Sequence, residues 1–302
     1  MKINNQNFQA KNNYFSSTEP RHLMNKFRKK RIILSFGTEH TYISCFCQIK
    51  RFLDEKKLGS LSNMSKKTAI RFLKKYRHIY QEPTLKKYRQ ALQHILRHNN
   101  KLGENEILTI FASKIESVQK TRAYSLHEVM SIIDHMNERD VLSVMICFYA
   151  GLRAHELLEI RRIKERAPDT RPSEPTKFFG EKGVFYTVKG KGGLIRVIIL
   201  PFYLAVQLEK RRLESKRKVK DRKIMYESYY DLNGGKNLSN RFSVVSKRVL
   251  GYSRGLHGLR HSFAQCRYRK LISLTKDKSI ALQTVSQELG HFRPEITLVY
   301  LR

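Results

Sequence analysis

Residues 257–261 read HGLRH. On a helix His257, Arg260 and His261 stand at i, i+3 and i+4 and therefore share one face. Three cationic or titratable groups on one face repel one another unless something negative lies against them. One reading is zinc, because His-x-x-x-His is ligand spacing and His291 could supply a third nitrogen. No carboxylate or cysteine joins that set, and an arginine between the ligands opposes a cation. A phosphate fits better, since the planar guanidinium fork matches phosphate oxygens bidentately. A purely structural histidine pair is the remaining alternative.

Three other stretches carry candidate chemistry. GLRAHELLEI, residues 151–160, puts Arg153 directly after an apolar segment with Glu156 one turn on. This is either a plain i,i+3 ion pair, worth about 0.3–0.5 kcal/mol when exposed, or an arginine oriented by its own carboxylate and presented to a ligand. VKGKGGLIRV, residues 188–197, lacks the spacing of a nucleotide phosphate loop and reads as a hairpin tip presenting Lys191 or Lys189. The terminal LGHFRPEITLVYLR places His291 past a helix end, Pro294 in a first helical turn and Tyr300 near the close of a two-turn helix. A tyrosine so placed is, by itself, a packing residue. Taken together, two arginines, a lysine, histidines and a tyrosine meet the needs of metal-free attack on a phosphodiester. Arginines stabilise the charge on the non-bridging oxygens. A histidine handles the nucleophile's proton, and a lysine protonates the leaving alkoxide.

The elements that must hold these residues can be read from periodicity and charge. At 302 residues the chain exceeds one average domain. Its 60 Lys and Arg against 26 Asp and Glu leave a formal charge of +34, which calls for a polyanionic partner, nucleic acid above all. The N-terminus lacks the apolar stretch of a signal peptide. The longest apolar run, residues 141–152, falls short of the ~20 residues of a bilayer span. A cytoplasmic, nucleoid-associated protein without a membrane partner is expected. Cys45, Cys47, Cys147 and Cys266 lack zinc-site or disulfide-framework spacing and read as reduced thiols.

Residues 1–35 read as a basic N-terminal arm, with Lys29, Lys30 and Arg31 as DNA contacts. Three apolar stripes follow: Ile43, Phe46, Ile49 and Leu53; Ala69, Leu73, Tyr76 and Tyr80; Leu85, Tyr88, Leu92 and Ile95. With a shorter helix around 107–111 they make residues 36–112 a helical domain. Its polar faces carry Arg71, Lys74, Lys75, Lys86, Lys87 and Arg89, which suit either a duplex backbone or an ordinary solvated surface. Residues 113–123 read as a linker. The second domain, 124–302, opens on a Ser125/Glu128 capping box and continues through a buried helix over 141–150 and a new helix near Arg153. A charged, proline-rich loop over 161–183, a β-hairpin, a very basic helix over 204–223 and helices over 257–269 and 279–289 complete it. The fold class is mainly α with a small β-sheet, α+β.

The order Arg…Lys…His-x-x-Arg…His…Tyr resembles the tyrosine recombinase (phage integrase) family. GLRAHEL, GKG, HGLRHSFA and LGH, followed nine residues after its histidine by Tyr300, carry the resemblance. It covers residues about 125–302; residues 36–112 match only in charge and helix pattern. It implies a helical core-binding domain joined to a catalytic domain, acting as a site-specific DNA recombinase. In that reading Tyr300 attacks the scissile phosphate, leaving a 3′-phosphotyrosine and a free 5′-hydroxyl. Arg153 and Arg260 grip the phosphate, His257 and His291 donate hydrogen bonds and carry protons, and Lys191 protonates the 5′-oxygen. Glu156 and His261 support the site, and Lys189 touches DNA. No cofactor is implied, because the covalent link conserves the bond energy without ATP or a metal. The implied partners are double-stranded DNA with paired recombination sites, a homo-tetramer on that DNA and accessory DNA-bending proteins, in a prokaryotic mobile element.

Three features depart from the family pattern. Gly258 stands where an acidic residue is usual. The interval from Arg153 to Lys191 is long, which would make 161–183 an added basic contact for DNA or a partner. The sequence ends two residues after Tyr300, where members usually continue into a segment docked on a neighbouring subunit, so the expectation is a subunit contact built differently or a truncated chain. Two other functions share the pattern: a type IB-like topoisomerase, and a catalytically inactive DNA-binding protein on the same fold.

Overall fold

The computed structural model describes residues 18–116 and 121–302, apart from the side chains of Phe36 and Lys191. The chain divides into two units, Met1–Val118 and Gln119–Arg302. Four helices build the described part of the first: α1 (Thr18–Lys29), α2 (Phe36–Glu55), α3 (Lys66–Tyr76) and α4 (Glu82–His98). Each periodic stripe becomes a buried face. Phe46, Ile49 and Leu53 of α2, Ala69, Leu73 and Tyr76 of α3, and Leu85, Leu92 and Ile95 of α4 share one core. Ser65 starts α3 by accepting the Thr68 amide, and a proline sits in the first turn of α4. Arg71, Lys74, Lys86 and Lys87 are exposed, as the polar side of an amphipathic helix must be.

The first helix corrects the sequence reading. Residues 18–29 are a helix rather than part of a basic arm: Leu23, Met24 and Phe27 are buried in the same core, Phe27 completely, and Pro20 on the same stripe is buried as well. The surrounding Arg, Lys and Asn mask that stripe in composition. Lys29, Lys30 and Arg31 close the helix and face solvent. Residues 1–17 of the expected arm, and 117–120 of the expected linker, lie outside the described part. No helix forms at 107–111 either. That segment is irregular, held where Leu108 is buried and its amide donates to Gln93 Oε1 at 3.0 Å.

The second unit opens on α5 (Leu126–Ile133), with the Ser125/Glu128 capping box formed, and α6 (Glu138–Ala150), the buried apolar helix. The hairpin pairs β2 (Val184–Lys189) with β3 (Ile195–Leu200), and a two-residue strand β1 (Arg161–Arg162) adds an edge in the order β1-β2-β3. After α7 (Phe202–Lys210) the chain again departs from expectation. The basic stretch leaves the helix and becomes β4 (Arg212–Asp221), antiparallel to β5 (Ile224–Tyr230). Between residues 211 and 223 the apolar side chains are Leu213 and Val219 alone, too few for a helical stripe, whereas pairing sets Val219 opposite Tyr226. Helices α8 (Gly235–Leu250), α9 (His257–Thr275), α10 (Lys278–Leu289) and the single turn α11 (Pro294–Thr297) follow. The loop before β2 is no free basic appendage. The Glu174 and Phe178 amides donate to Gln287 Oε1 (2.7 Å) and Glu288 Oε1 (2.9 Å), and Arg267 donates to the Phe179 carbonyl (3.0 Å), strapping the loop to α9 and α10.

Among the described residues no helix is long and apolar enough to cross a membrane. Cys45, Cys47, Cys147 and Cys266 are all free thiols, the last exposed.

Because α1 belongs to the helical core, removing the Phe27 ring should cost about 3–5 kcal/mol of unfolding free energy, read by urea titration of Phe27→Ala. Lys29→Ala should change it by less than about 0.5 kcal/mol. Equal and small effects of both would show that α1 does not contribute to the core.

Candidate active site

Two helix ends aim the chain at one place. α6 stops at Gly151, whose φ of +60° turns the chain sharply; a Cβ there would lie 2.5 Å from the Phe263 ring. The turn delivers Arg153, followed not by a full helix but by one 3-10 turn, Glu156–Glu159. α10 stops at Gly290 with φ +75°, where a Cβ would lie 2.8 Å from Arg196 Cδ, and the next residue is His291. α9 begins at His257 and carries Arg260 and His261 in its opening turns. Tyr300 arrives on α11 and a 3-10 turn, Leu298–Tyr300, in place of the two-turn helix expected.

These residues converge. The Tyr300 ring, 9% exposed, has its centroid 4.6 Å from that of His261, 5.1 Å from His291 and 5.5 Å from His257. The Arg260 guanidinium carbon lies 5.6 Å from the same ring. Arg153 Nη2 and Arg260 Nη2 both approach His291 Nε2, at 3.4 and 3.2 Å. Guanidinium nitrogens only donate, so Nε2 is the acceptor and Nδ1 carries the proton toward Thr297 Oγ1 at 3.3 Å. Two arginines thus point at one acceptor, as they would at a phosphate oxygen. Arg260 is fully buried and also donates to the carbonyls of Gly151 and Leu289, the ends of α6 and α10. Its Nε and His261 Nδ1 are buried with no hydrogen-bond partner among the described residues.

Glu156 has no solvent exposure. Its Oε1 accepts from Arg153 Nη1 at 2.7 Å, and its Oε2 from the Arg153 amide at 2.9 Å and Arg196 Nη2 at 2.7 Å. Burial alone would raise its pKa, but Arg196, Arg260 and Arg153 outweigh burial and hold it at about 2. The same positive field acts oppositely on the imidazoles. Burial, then Arg260 and Arg153, push His291 down to about 3; burial and Arg260 push His257 to about 4; burial and Arg122 push His261 to about 4. All three rings are therefore neutral at pH 7; the lone pair of His291 is taken by the two arginines. Burial also lowers Arg260, to about 9, which leaves it charged at neutral pH.

The remaining candidates are distributed as follows. The hairpin tip lies at the site: a Cβ on Gly190 would sit 3.2 Å from Glu156 Oε1 and 3.9 Å from Arg153 Nη1. Lys191 follows it in the tip turn, its side chain outside the described part, and Lys189 is exposed at the end of β2. In the helical unit Lys75 pairs with Glu55 at 3.5 Å and Lys86 with Glu82 at 3.5 Å, while Arg89 is half-buried. Gly258 admits no acidic side chain, since a Cβ would meet the Arg122 carbonyl at 2.6 Å. Sequence reasoning missed Arg196. Its signal was a charge at the inward parity of β3, in step with Ile198 and Leu200, where an arginine is stable only if paired. Among the described residues no cluster of three or more His, Cys, Asp or Glu is arranged to hold a metal ion.

Solved structures match over nearly the whole chain. The XerH site-specific recombinase bound to palindromic difH substrate is 20% identical, with 100% of this chain and 86% of that one covered at a TM-score of 0.57. A lambda integrase tetramer bound to a Holliday junction is 16% identical over 98% of this chain and 80% of its own, TM-score 0.59. The Tn1549 transposon integrase in complex with transposon right end DNA is 11% identical over 94% and 95%, TM-score 0.53. No family model and no curated protein sequence matches the chain. The fold is the α+β fold of the tyrosine recombinases, helical with small antiparallel sheets.

Histidines held neutral make stability fall in acid. Between the ordinary histidine pKa of about 6.5 and the depressed folded values, the unfolded chain binds protons that the folded site refuses, so unfolding free energy rises with pH there. Urea titrations from pH 7 to pH 5 should show a steady loss of stability, and His291→Gln should make that loss shallower. An unchanged slope in the variant would mean that His291 is protonated in the folded protein.

Proposed function

We propose that the chain is a tyrosine-type site-specific DNA recombinase that cleaves and rejoins DNA through a 3′-phosphotyrosine intermediate, serving integration or excision of a prokaryotic mobile element. One observation carries the reading: a buried tyrosine ring is ringed by three neutral histidines beside two arginines that share one acceptor. A packing tyrosine has no need of such neighbours. The recombinases and integrases whose fold the chain shares are bound to DNA, one as a tetramer on a Holliday junction.

A scissile phosphate enters where Arg153 and Arg260 converge and takes the place of His291 Nε2 as their acceptor. Tyr300 Oη attacks phosphorus in line as a neutral histidine accepts its proton; His261 lies nearest. The arginines hold the charge that builds on the non-bridging oxygens, and the bond to the 5′-oxygen breaks as Lys191 protonates it. Rejoining is the reverse: a 5′-hydroxyl attacks the phosphotyrosine and Tyr300 leaves with its proton restored. His257 lends a hydrogen bond to the phosphate, and His291 does so once its proton moves from Nδ1 to Nε2. Lys189, Lys29, Lys30, Arg31, Arg71, Lys74, Lys75, Lys86, Lys87 and Arg89 supply cations for the flanking backbone. Strand exchange requires two paired sites and four subunits, with DNA-bending proteins as accessories, on the nucleoid.

Incubation with a pool of nicked duplexes randomised around the nick should yield an SDS-resistant protein–DNA adduct that Tyr300→Phe abolishes. An adduct that survives this substitution removes Tyr300 as nucleophile. On a duplex recovered from the pool, Lys191→Ala should slow cleavage by ~10²–10⁴-fold. Sulfur in place of the bridging 5′-oxygen should erase that defect, because a thiolate leaves without a proton. A defect that persists with sulfur assigns the proton to another group.

A further inference from the structure

Arg196 is 3% exposed, on a strand whose neighbouring inward residues are apolar. Burying a guanidinium is costly unless its donors are matched, and here each match leads to the site. Nη2 donates to Glu156 Oε2 at 2.7 Å, and Glu156 holds the amide and guanidinium of Arg153. Nη1 donates to the Glu288 carbonyl at 3.1 Å, in the last turn of α10, three residues before His291. The aliphatic stem lies against Gly290, where a Cβ would meet Cδ at 2.8 Å and Nε at 3.2 Å, so the turn into His291 is moulded on it. At the other end, β3 begins beyond the tip that carries Lys191, closed by the Gly190 amide donating to the Leu194 carbonyl at 2.8 Å.

We propose that Arg196 is a positioning residue: without touching the phosphate, it fixes Arg153, His291 and the Lys191 hairpin in one geometry. It joins three segments that are distant in sequence: the turn of Glu156, the end of α10 and the hairpin on which it sits. A packing arginine would need one carboxylate; this one divides its two terminal nitrogens between the carboxylate that aims Arg153 and the helix end that aims His291. The role rests on the phosphotransfer reading above, and it acts on rate rather than on DNA affinity, because exposed cations supply the latter.

The test uses the full chain and a duplex recovered by adduct formation. Arg196→Met should slow cleavage ~10²-fold, the size expected for catalytic groups misplaced by about an ångström, while duplex affinity measured with Tyr300→Phe in the background stays near that of the parent. Arg196→Lys, which keeps the charge but cannot bridge both acceptors, should fall between. The effect should run through Glu156: Arg196→Met combined with Glu156→Gln should cost no more than the worse single change, whereas independent packing losses would add. The rate should also acquire an acid limb in Arg196→Met, because Glu156 loses the strongest charge opposing its burial. Additive losses, a wild-type rate in Arg196→Met, or a slowdown matched by the fraction of unfolded protein would each overturn the assignment. If the parent forms no Tyr300-dependent adduct, the recombinase reading itself fails, which is a different result from an adduct formed at full rate without Arg196.

Discussion

A carboxylate cut off from water must find its counter-charges inside the protein, and in Glu156 that requirement organises the site. Its two oxygens accept from Arg153 twice and from Arg196 once, and its charge also faces Arg260. Removing any of these would leave buried charge uncompensated, a loss that a folded chain resists strongly. The arrangement is thus self-enforcing: the arginines are where they are because the carboxylate is dry, and the carboxylate stays ionised because they are there. Arg153 gains in precision from this, since an arginine held at its amide and its guanidinium by one carboxylate has few rotamers left.

Three guanidiniums around one carboxylate leave an excess of positive charge in a volume with little water. The imidazoles respond by staying neutral, and His291 lends its lone pair to the two arginines. An anion in that place would satisfy the arginines better and would relieve the field that keeps the histidines uncharged. The N-terminus of α9, at His257, adds the positive end of a 19-residue helix. The charges of the site itself are therefore unbalanced in the direction that a phosphate corrects.

The candidate site residues were legible from their order together rather than from any one motif: HGLRH presents one face of a helix, GLRAHEL follows an apolar run, and Tyr300 gains meaning only beside them. Hairpin, capping box and most helices were legible from period and turn chemistry. Two kinds of feature were not. α1 was hidden because its stripe of Leu23, Met24 and Phe27 is diluted by cations, so composition spoke louder than spacing. β4 was misread because helix propensity in a lysine-rich stretch is a weak prior, and a ladder partner in β5 overrides it. Arg196 escaped for a different reason: its meaning lies in Glu156 and Glu288, far along the chain, and no local pattern carries a contact between segments.

The site also divides into parts of unequal rigidity. Arg260 joins the ends of α6 and α10, and Glu156 and Arg196 join the 3-10 turn to β3 and α10, all in the buried core. Tyr300, by contrast, rides on one α turn and one 3-10 turn, packed with a small separate cluster that includes Ala264, Leu271 and Leu289. Gln265 Nε2 donates to its carbonyl at 3.3 Å. Short elements with few hydrogen bonds open at lower free energy than the core that carries them. A fixed cationic clamp with Tyr300 on its least secured segment suits the proposed reaction, in which the tyrosine must reach a phosphate, become bonded to DNA and be released, while the groups that hold the charge stay in place.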